Sequence, residues 1–162
     1  MKRVKLVVAY DGTNYCGWQV QKNGETIESV LNRAIGELTG EEIHVMGSSR
    51  TDAGVHACGN VAVFDTEARM AADKFSYALN QRLPEDIRIQ DSCEVPADFH
   101  PRFQKTVKTY EYRILNREFP LPAYRFNSHF TYRKLDVERM RQADTDLICV
   151  RAFQRVTSSG GP

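Results

Sequence analysis

Segments with the two-residue hydrophobic period of a strand alternate along the chain with segments that have the period of a helix. The order of these segments limits the folds that the chain can adopt. Val4, Leu6 and Val8 repeat at the two-residue period of a strand, and residues 27–38 repeat at helical spacing. Further elements are predicted as strands near 43–46, 60–65 and 87–95, with a second helix near 71–82. The order β-α-β-β-α-β is that of the ferredoxin-like fold. We therefore predict an α+β, RRM-like βαββαβ domain.

Capping residues mark both ends of the first helix, and the hydrophobic pattern predicts further elements beyond residue 95. Thr26 is placed as an N-cap, and Gly40 suits the end of the helix. Additional strands are expected at 107–115 and 128–133, and a last helix near Asp136. With Lys108, Tyr110 and Tyr112 at alternate positions, these side chains would share one strand face.

Length and composition favour a globular domain. The chain has 162 residues, of which 41% are hydrophobic and 27% charged, and this content is typical of a folded protein that can bury a core. We predict a domain over residues 1–147. Residues 148–162, which end in TSSGGP, are expected to be a divergent or disordered tail.

Composition also argues against two classes of protein. No apolar run approaches the ~20 residues that span a bilayer, so we expect a cytoplasmic protein without a membrane segment. The four cysteines and four histidines are widely dispersed, without the spacing of a zinc site. We therefore predict no metal.

The segment SSRTDAGVHA, residues 48–57, has the composition of a functional loop. Arg50, Asp52 and His56 surround a glycine, between two apolar strand-like runs. A carboxylate close to a guanidinium is favoured in its charged form, which suits Asp52 to act as a nucleophile or base. The same residues also occur in ordinary tight turns, where Asp caps backbone N–H groups.

Several segments together resemble the TruA family of tRNA pseudouridine synthases. Residues 50–57 match the family signature RTDAGVHA throughout, and residues 9–21 (AYDGTNYCGWQVQ) resemble its opening motif. Residues 79–87 and 98–114 match in order and spacing. The resemblance covers residues 3–147, with mild departures at Ser49, Cys58 and Asn60.

The resemblance implies both an activity and a site. It implies isomerisation of uridine to pseudouridine in the tRNA anticodon stem-loop, at positions 38, 39 and 40, without a cofactor. Asp52 would be the catalytic carboxylate. Arg50 and Tyr110 would bind the substrate, with Arg50 pairing with Asp52 and Tyr110 stacking on the target base. Family members are generally homodimers that bind one tRNA.

The resemblance and the local charge indicate further RNA contacts. The formal charge is only +1, but basic residues cluster between 102 and 134. The candidate RNA contacts are Gln19, Gln21, His56, Arg102, Lys105 and Lys108. Family members continue into a second, similar domain that supplies the rest of the active-site pocket. Because that domain is absent here, we expect a truncated and poorly active form.

Two other functions fit parts of the sequence. A non-catalytic RNA-binding module could use the same sheet and the basic stretch. A hydrolase using Asp52 with His56, or another small-molecule enzyme, is also compatible with the fold. The second alternative leaves the agreement at residues 9–21 and 98–114 unexplained.

Overall fold

A computed structural model describes residues 1–105 and 107–147. The chain divides into two units, Met1–Tyr110 and Glu111–Pro162. The elements of the first unit are β1 (Lys2–Tyr10), α1 (Ile27–Thr39), β2 (Met46–Gly47), β3 (Ala57–Thr66), α2 (Phe75–Asn80) and β4 (Ile87–Val95), with a 3₁₀ turn at Ala72–Lys74. This order confirms the predicted alternation of strands and helices, and the unit is an α+β domain.

The four strands of the first unit form an antiparallel sheet in the order β2-β3-β1-β4. Val4, Leu6 and Val8 of β1 are fully buried on one face, as the two-residue period predicts. Ile27 and Leu31 of α1 are fully buried in the same core. The helices therefore cover one face of the sheet, and the loops at its ends remain accessible.

Helix α1 begins and ends where the sequence predicts. The Thr26 side chain accepts a hydrogen bond from the Ser29 backbone N–H, and the Ser29 hydroxyl oxygen accepts one from the Thr26 N–H. This reciprocal capping box satisfies two backbone donors that would otherwise lack partners. At the other end Gly40 adopts a left-handed conformation (φ 74°), which confirms its predicted role.

The strand predicted at 43–46 is shorter and later than expected, since β2 covers only Met46–Gly47. Ile43 and Val45 are buried, as their apolar character requires. However, the Val45 N–H donates to Asn32 Oδ1 of α1 at 2.8 Å. A side-chain amide therefore takes the hydrogen bond that a ladder would have made, and sheet pairing begins one residue later.

Strand β4 has the predicted bounds, but its pairing with β1 is interrupted at one point. Val7 pairs with Asp91 while the next β1 residue, Val8, pairs with Ile89, so one β4 residue is extra at this point. Such a bulge exchanges the two faces of the strand. Beyond it Ser92, rather than Cys93, is buried, and its hydroxyl accepts from the Ser76 N–H at 2.9 Å.

The chain after β4 returns to the sheet through Arg3. The Arg3 guanidinium makes a bidentate pair with Asp65, at 2.7 and 2.8 Å, and its third nitrogen donates to the Phe99 carbonyl at 2.9 Å. The pKa of Arg3 is raised, chiefly by its hydrogen bond with Asp65. This pair fixes the start of the segment that continues through residues 100–105.

The second unit contains short elements. They are β5 (Ile114–Asn116), β6 (His129–Thr131), a 3₁₀ turn at Pro122–Tyr124 and α3 (Val137–Leu147), with β5 and β6 pairing in parallel. The predicted strands are therefore shorter than 107–115 and 128–133. Residues 107–113 lie outside any strand, although the Arg113 carbonyl accepts from the His129 N–H at 2.8 Å. The shared strand face predicted for Lys108, Tyr110 and Tyr112 is therefore wrong. The predicted tail, 148–162, lies outside the described residues.

Candidate active site

The loop of residues 48–56 joins β2 to β3 and is held at its start by β3. The Ser48 N–H donates to the Val61 carbonyl at 2.7 Å, which extends the ladder by one bond. Buried Asn60 donates from Nδ2 to the Ser49 carbonyl at 3.1 Å, and its Oδ1 lies 3.0 Å from the Ser48 hydroxyl. Asn60 thus fixes two consecutive residues directly before Arg50.

The middle of the loop rests on two buried aromatic residues. The Tyr10 hydroxyl lies 2.9 Å from Thr51 Oγ1, and the backbone N–H of Trp18 donates to the Thr51 carbonyl at 3.0 Å. The two rings pack against each other with centroids 5.9 Å apart. Burial raises the pKa of Tyr10, so its hydroxyl stays protonated and can serve the Thr51 contact. The residue before Asp52 is therefore fixed on both its side chain and its backbone.

The segment 11–21 packs against the same loop through its glycines. The Gly54 N–H donates to the Tyr15 carbonyl at 3.2 Å. A methyl group on Gly12 would overlap the Val55 carbonyl, and one on Gly17 would lie 2.5 Å from the Thr51 carbonyl oxygen. The two motifs that are most distinctive in the sequence are therefore halves of one structural unit.

Arg50 and Asp52 lie exposed on this supported loop. The predicted ion pair between them is not formed, since neither side chain has a salt bridge or hydrogen bond within the described part of the chain. Their spacing in sequence does not set side-chain direction, and the contacts that hold the loop go through Thr51 instead. Both side chains are consequently available to an external ligand.

His56 ends the loop beside the turn that follows β1. Its Nδ1 lies 3.1 Å from Asp11 Oδ1. The same oxygen accepts from the Thr13 hydroxyl at 2.5 Å and from the Thr13 N–H at 3.0 Å. These contacts lower the pKa of Asp11, and the Thr13 hydroxyl is the largest cause. The Asp11 carboxylate thus links the two motifs electrostatically.

We expect this carboxylate to stabilise the fold at neutral pH and to lose that effect in acid. Because the folded-state pKa is lowered, the stabilisation is complete above the pKa of an unfolded aspartate, about 3.9, and fades as pH falls through the folded value. Asp11→Asn should therefore be less stable than the parent chain at neutral pH, with the difference narrowing below about pH 4. Urea unfolding of both chains across this range measures the effect. A difference that stays constant with pH would contradict it.

The other predicted contacts are distributed differently. Gln19, Lys105 and Lys108 are exposed, whereas the Gln21 side chain donates to the Cys16 carbonyl within its own loop. Arg102 donates from Nε to the Gly47 carbonyl at 3.1 Å, which ties the chain after β4 to the strand before the loop.

Tyr110 is 86% exposed in a segment without regular structure, and no hydrogen bond or ring contact joins it to another residue that the structure describes. Its predicted stacking on a target base therefore remains a prediction.

Two kinds of feature are absent from residues 1–105 and 107–147. No group of three or more His, Cys, Asp or Glu side chains is placed to hold a metal ion. No helix in this part of the chain is long and apolar enough to cross a membrane. The candidate site consists of polar and charged side chains from one loop and its supports.

The supporting residues were not identified from the sequence. Tyr10, Thr51 and Asn60 form the hydrogen-bonded base of the loop. Tyr10 lies within the motif of residues 9–21 but was given no role, and Asn60 was noted as a departure from a family pattern. A polar group at a core position of a strand is the signal that could have drawn attention to Asn60, because buried amides require partners.

A family model described as tRNA pseudouridine synthase matches residues 6–104 of the chain. The chain belongs to the tRNA pseudouridine synthase family. The match includes β1 from Leu6 onward, the loop of residues 48–56 and the other three strands of the first sheet. Membership of this pseudouridine synthase family therefore rests on the same unit that carries Asp52.

Curated relatives in the pseudouridine synthase family cover nearly the whole chain. A tRNA pseudouridine synthase A of Acetivibrio thermocellus is 47% identical over 160 residues, which cover 99% of this chain and 66% of the relative. A tRNA pseudouridine synthase A 2 of Clostridium tetani is 48% identical over 162 residues, or 99% and 65%. The relative from Citrifermentans bemidjiense is 47% identical over 143 residues, or 88% and 57%. The chain thus spans just under two thirds of the length of the first of these relatives.

Proposed function

We propose that the chain is the amino-terminal part of a tRNA pseudouridine synthase, with Asp52 as its catalytic carboxylate. The observation that carries the proposal is that Asp52 is exposed, with no side-chain hydrogen bond or ion pair among residues 1–105 and 107–147, and that Tyr10 and Trp18 fix Thr51 directly before it. A catalytic group must be accessible to its substrate yet held in place by its supports. Family membership supports the reaction class.

The proposed reaction rearranges one nucleotide without a net change in atoms. The N1–C1′ bond of uridine breaks, the base turns, and a C5–C1′ bond forms while C5 loses a proton and N1 gains one. Asp52 would act at C1′ or C6 of the nucleotide, or promote elimination within the ribose. Each route needs the carboxylate close to the ribose, and none needs a redox partner or a metal.

Arg50 would act on the RNA rather than on the carboxylate. A stacked uridine hides the atoms that react, so the enzyme must extract the base from the stack. The Arg50 guanidinium is exposed two residues from Asp52 and has no internal ion pair in the described part of the chain. It can occupy the space that the extracted base leaves, while Tyr110 stacks on that base.

We further propose the finer properties that the resemblance implies. The fold would be ferredoxin-like, supported by the chain order βαββαβ and the sheet order β2-β3-β1-β4. The substrate would be the anticodon stem-loop of tRNA, at positions 38, 39 and 40. The complete protein would be a cytoplasmic homodimer that binds one tRNA.

A non-catalytic RNA-binding module is the second candidate. It is favoured by the exposed aromatic and basic residues between 102 and 112 and by the exposure of Tyr110, which no internal contact holds near Asp52 in the described residues. Such a module would bind tRNA and convert none of it.

A pseudouridine assay on two proteins separates the candidates. The first is the 162-residue chain, and the second joins residues 1–147 to the part of the Acetivibrio thermocellus relative that follows its match to residue 147. With RNA carrying tritium at uridine C5, we expect little release by the chain alone and clear release by the fusion. Affinity for tRNA should fall as salt rises, because phosphate contacts release counterions. Binding without release by either protein would support the module and contradict the enzyme.

A further inference from the structure

The turn formed by residues 100–103 holds two aromatic rings in a stack. The Phe103 N–H donates to the His100 carbonyl at 3.2 Å, and Pro101, which is buried, occupies a turn position that proline favours. The two ring centroids lie 4.1 Å apart with an interplanar angle of 21°. His100 Nδ1 accepts from the Arg102 N–H at 3.2 Å, which fixes the imidazole orientation.

This aromatic turn is anchored to the sheet on both sides. Before it, the Phe99 carbonyl accepts from Arg3 of β1 at 2.9 Å. Within it, Arg102 Nε donates to the carbonyl of Gly47 at 3.1 Å. Gly47 is the last residue of β2 and directly precedes the loop that carries Arg50 and Asp52. The turn is therefore fixed next to the base of the candidate active site.

Phe103 is nevertheless exposed to solvent. Its exposed fraction is 82%, although its partner His100 is only partly exposed. One face of the phenyl ring is occupied by the imidazole. A large apolar ring that the fold supports but does not bury is suited to contact another molecule.

The charge around the turn indicates what that molecule is. Residues 99–110 contain Arg102, Lys105 and Lys108 and no carboxylate. Aromatic rings interspersed with cations are the pattern by which proteins bind unpaired nucleic acid, with bases stacking on the rings and phosphates near the cations. A second protein surface would not require this excess of positive charge.

We propose that Phe103 is an RNA-binding residue whose ring, supported by His100, stacks on an unpaired nucleobase next to the nucleotide that reacts at Asp52. The inference rests on the proposed function in that RNA is the ligand, but it requires no turnover. It adds a base contact outside the reacting nucleotide, separate from the stacking proposed for Tyr110.

The experiment compares Phe103 with a matched aromatic residue on the same unit. Tyr77 of α2 is 70% exposed and has the Lys74 ammonium 5.6 Å from its ring centroid. Asn80 of the same helix donates a hydrogen bond to the Ile89 carbonyl of β4, the edge strand farthest from β2. Affinity of the 162-residue chain is measured for a stem-loop RNA and for the same RNA with abasic loop positions.

Phe103→Ala should weaken binding of the intact stem-loop by about 5- to 150-fold, the range found for loss of one base–aromatic stack. It should leave the salt dependence unchanged, because no cation is lost, whereas Lys105→Gln should reduce the salt slope by about one. Tyr77→Ala should bind like the parent chain. The abasic RNA should bind Phe103→Ala and the parent equally.

A tryptophan substitution supplies a direct reading of stacking. Trp18 is the only native tryptophan and is 1% exposed, so Phe103→Trp adds one exposed indole. We expect the intact stem-loop to quench that added fluorescence, and no quenching in Tyr77→Trp. Unchanged affinity in Phe103→Ala, or an indole that RNA does not quench, would overturn the proposal. An indole already shielded through self-association would show that protein covers this turn instead. If binding depends on Phe103 but the fusion protein forms no pseudouridine, the proposed enzyme is refuted and the contact of Phe103 with RNA stands.

Discussion

Asp52→Asn is expected to abolish pseudouridine formation while leaving tRNA affinity nearly unchanged. The amide is close in size to the carboxylate but cannot act as a nucleophile or base, and loss of such a group reduces turnover by a factor of about 10⁴ or more. Affinity should survive because phosphate contacts by basic side chains supply most of it. The assay is tritium release by the fusion protein, beside a tRNA-binding titration.

The structure allows this result to be separated from unfolding. Asp52 is exposed and has no side-chain hydrogen bond or ion pair in the described residues, so Asp52→Asn should unfold at the parent's midpoint. Asp91→Asn is the matched control, because Asp91 is an exposed aspartate of β4 at the far edge of the sheet. It should retain full turnover. Comparable rates in Asp52→Asn and the parent would remove Asp52 from the mechanism.

The sequence predicted the elements whose hydrogen bonds are local or lie in the interior of the sheet. Thr26 and Gly40 end α1 through contacts with nearby backbone, so their identities are sufficient to place them. The central strand β1 is flanked by β3 and β4, and its alternation is complete. In both cases the residue pattern and the tertiary environment agree.

The sequence did not predict where a distant partner replaces the expected one. The Asn32 side chain accepts the hydrogen bond of the Val45 N–H, and the bulge in β4 places Ser92 on the buried face. Neither feature is indicated by the neighbouring residues in the sequence. Residues 107–113 alternate like a strand, but β5 begins only at Ile114. A period of two shows which residues could share a face, whereas a strand also needs a ladder to satisfy its backbone.

The candidate site was predicted by its residues but not by its supports. Arg50, Asp52 and His56 were found because they lie close together in sequence. The predicted ion pair between Arg50 and Asp52 was wrong, since no ion pair joins the two side chains. His56 instead contacts Asp11, which belongs to a different motif. Side-chain direction in a loop depends on what holds the backbone, and here Tyr10 and Trp18 come from 30 or more residues earlier.

Gly17 is the position at which these supports tolerate least change. Its φ of 84° lies in the left-handed region, which costs a residue with a side chain roughly 1–2 kcal/mol. A methyl group there would also lie 2.5 Å from the Thr51 carbonyl oxygen and 3.2 Å from the Asp52 carbonyl carbon. Both contacts are with backbone, which cannot rotate away as a side chain can, so the loop itself must shift.

Gly17→Ala is therefore expected to lower the free energy of unfolding by about 2–5 kcal/mol, as the sum of left-handed strain and overpacking. Two matched glycines separate these causes. Gly40 (φ 74°) and Gly54 (φ 77°) adopt the same conformation, but a methyl group on either meets nothing within 4 Å. Gly40→Ala and Gly54→Ala should each lose only about 1–2 kcal/mol. Urea unfolding measures all three, and tritium release by the fusion protein measures the consequence for the site. Of these three substitutions, only the methyl group added at Gly17 would displace Thr51 and Asp52. Gly17→Ala should therefore lose turnover under conditions where Gly40→Ala is still folded and retains it. Equal losses of stability in the three variants would show that the loop relaxes without resistance, and that segment 11–21 does not position Asp52.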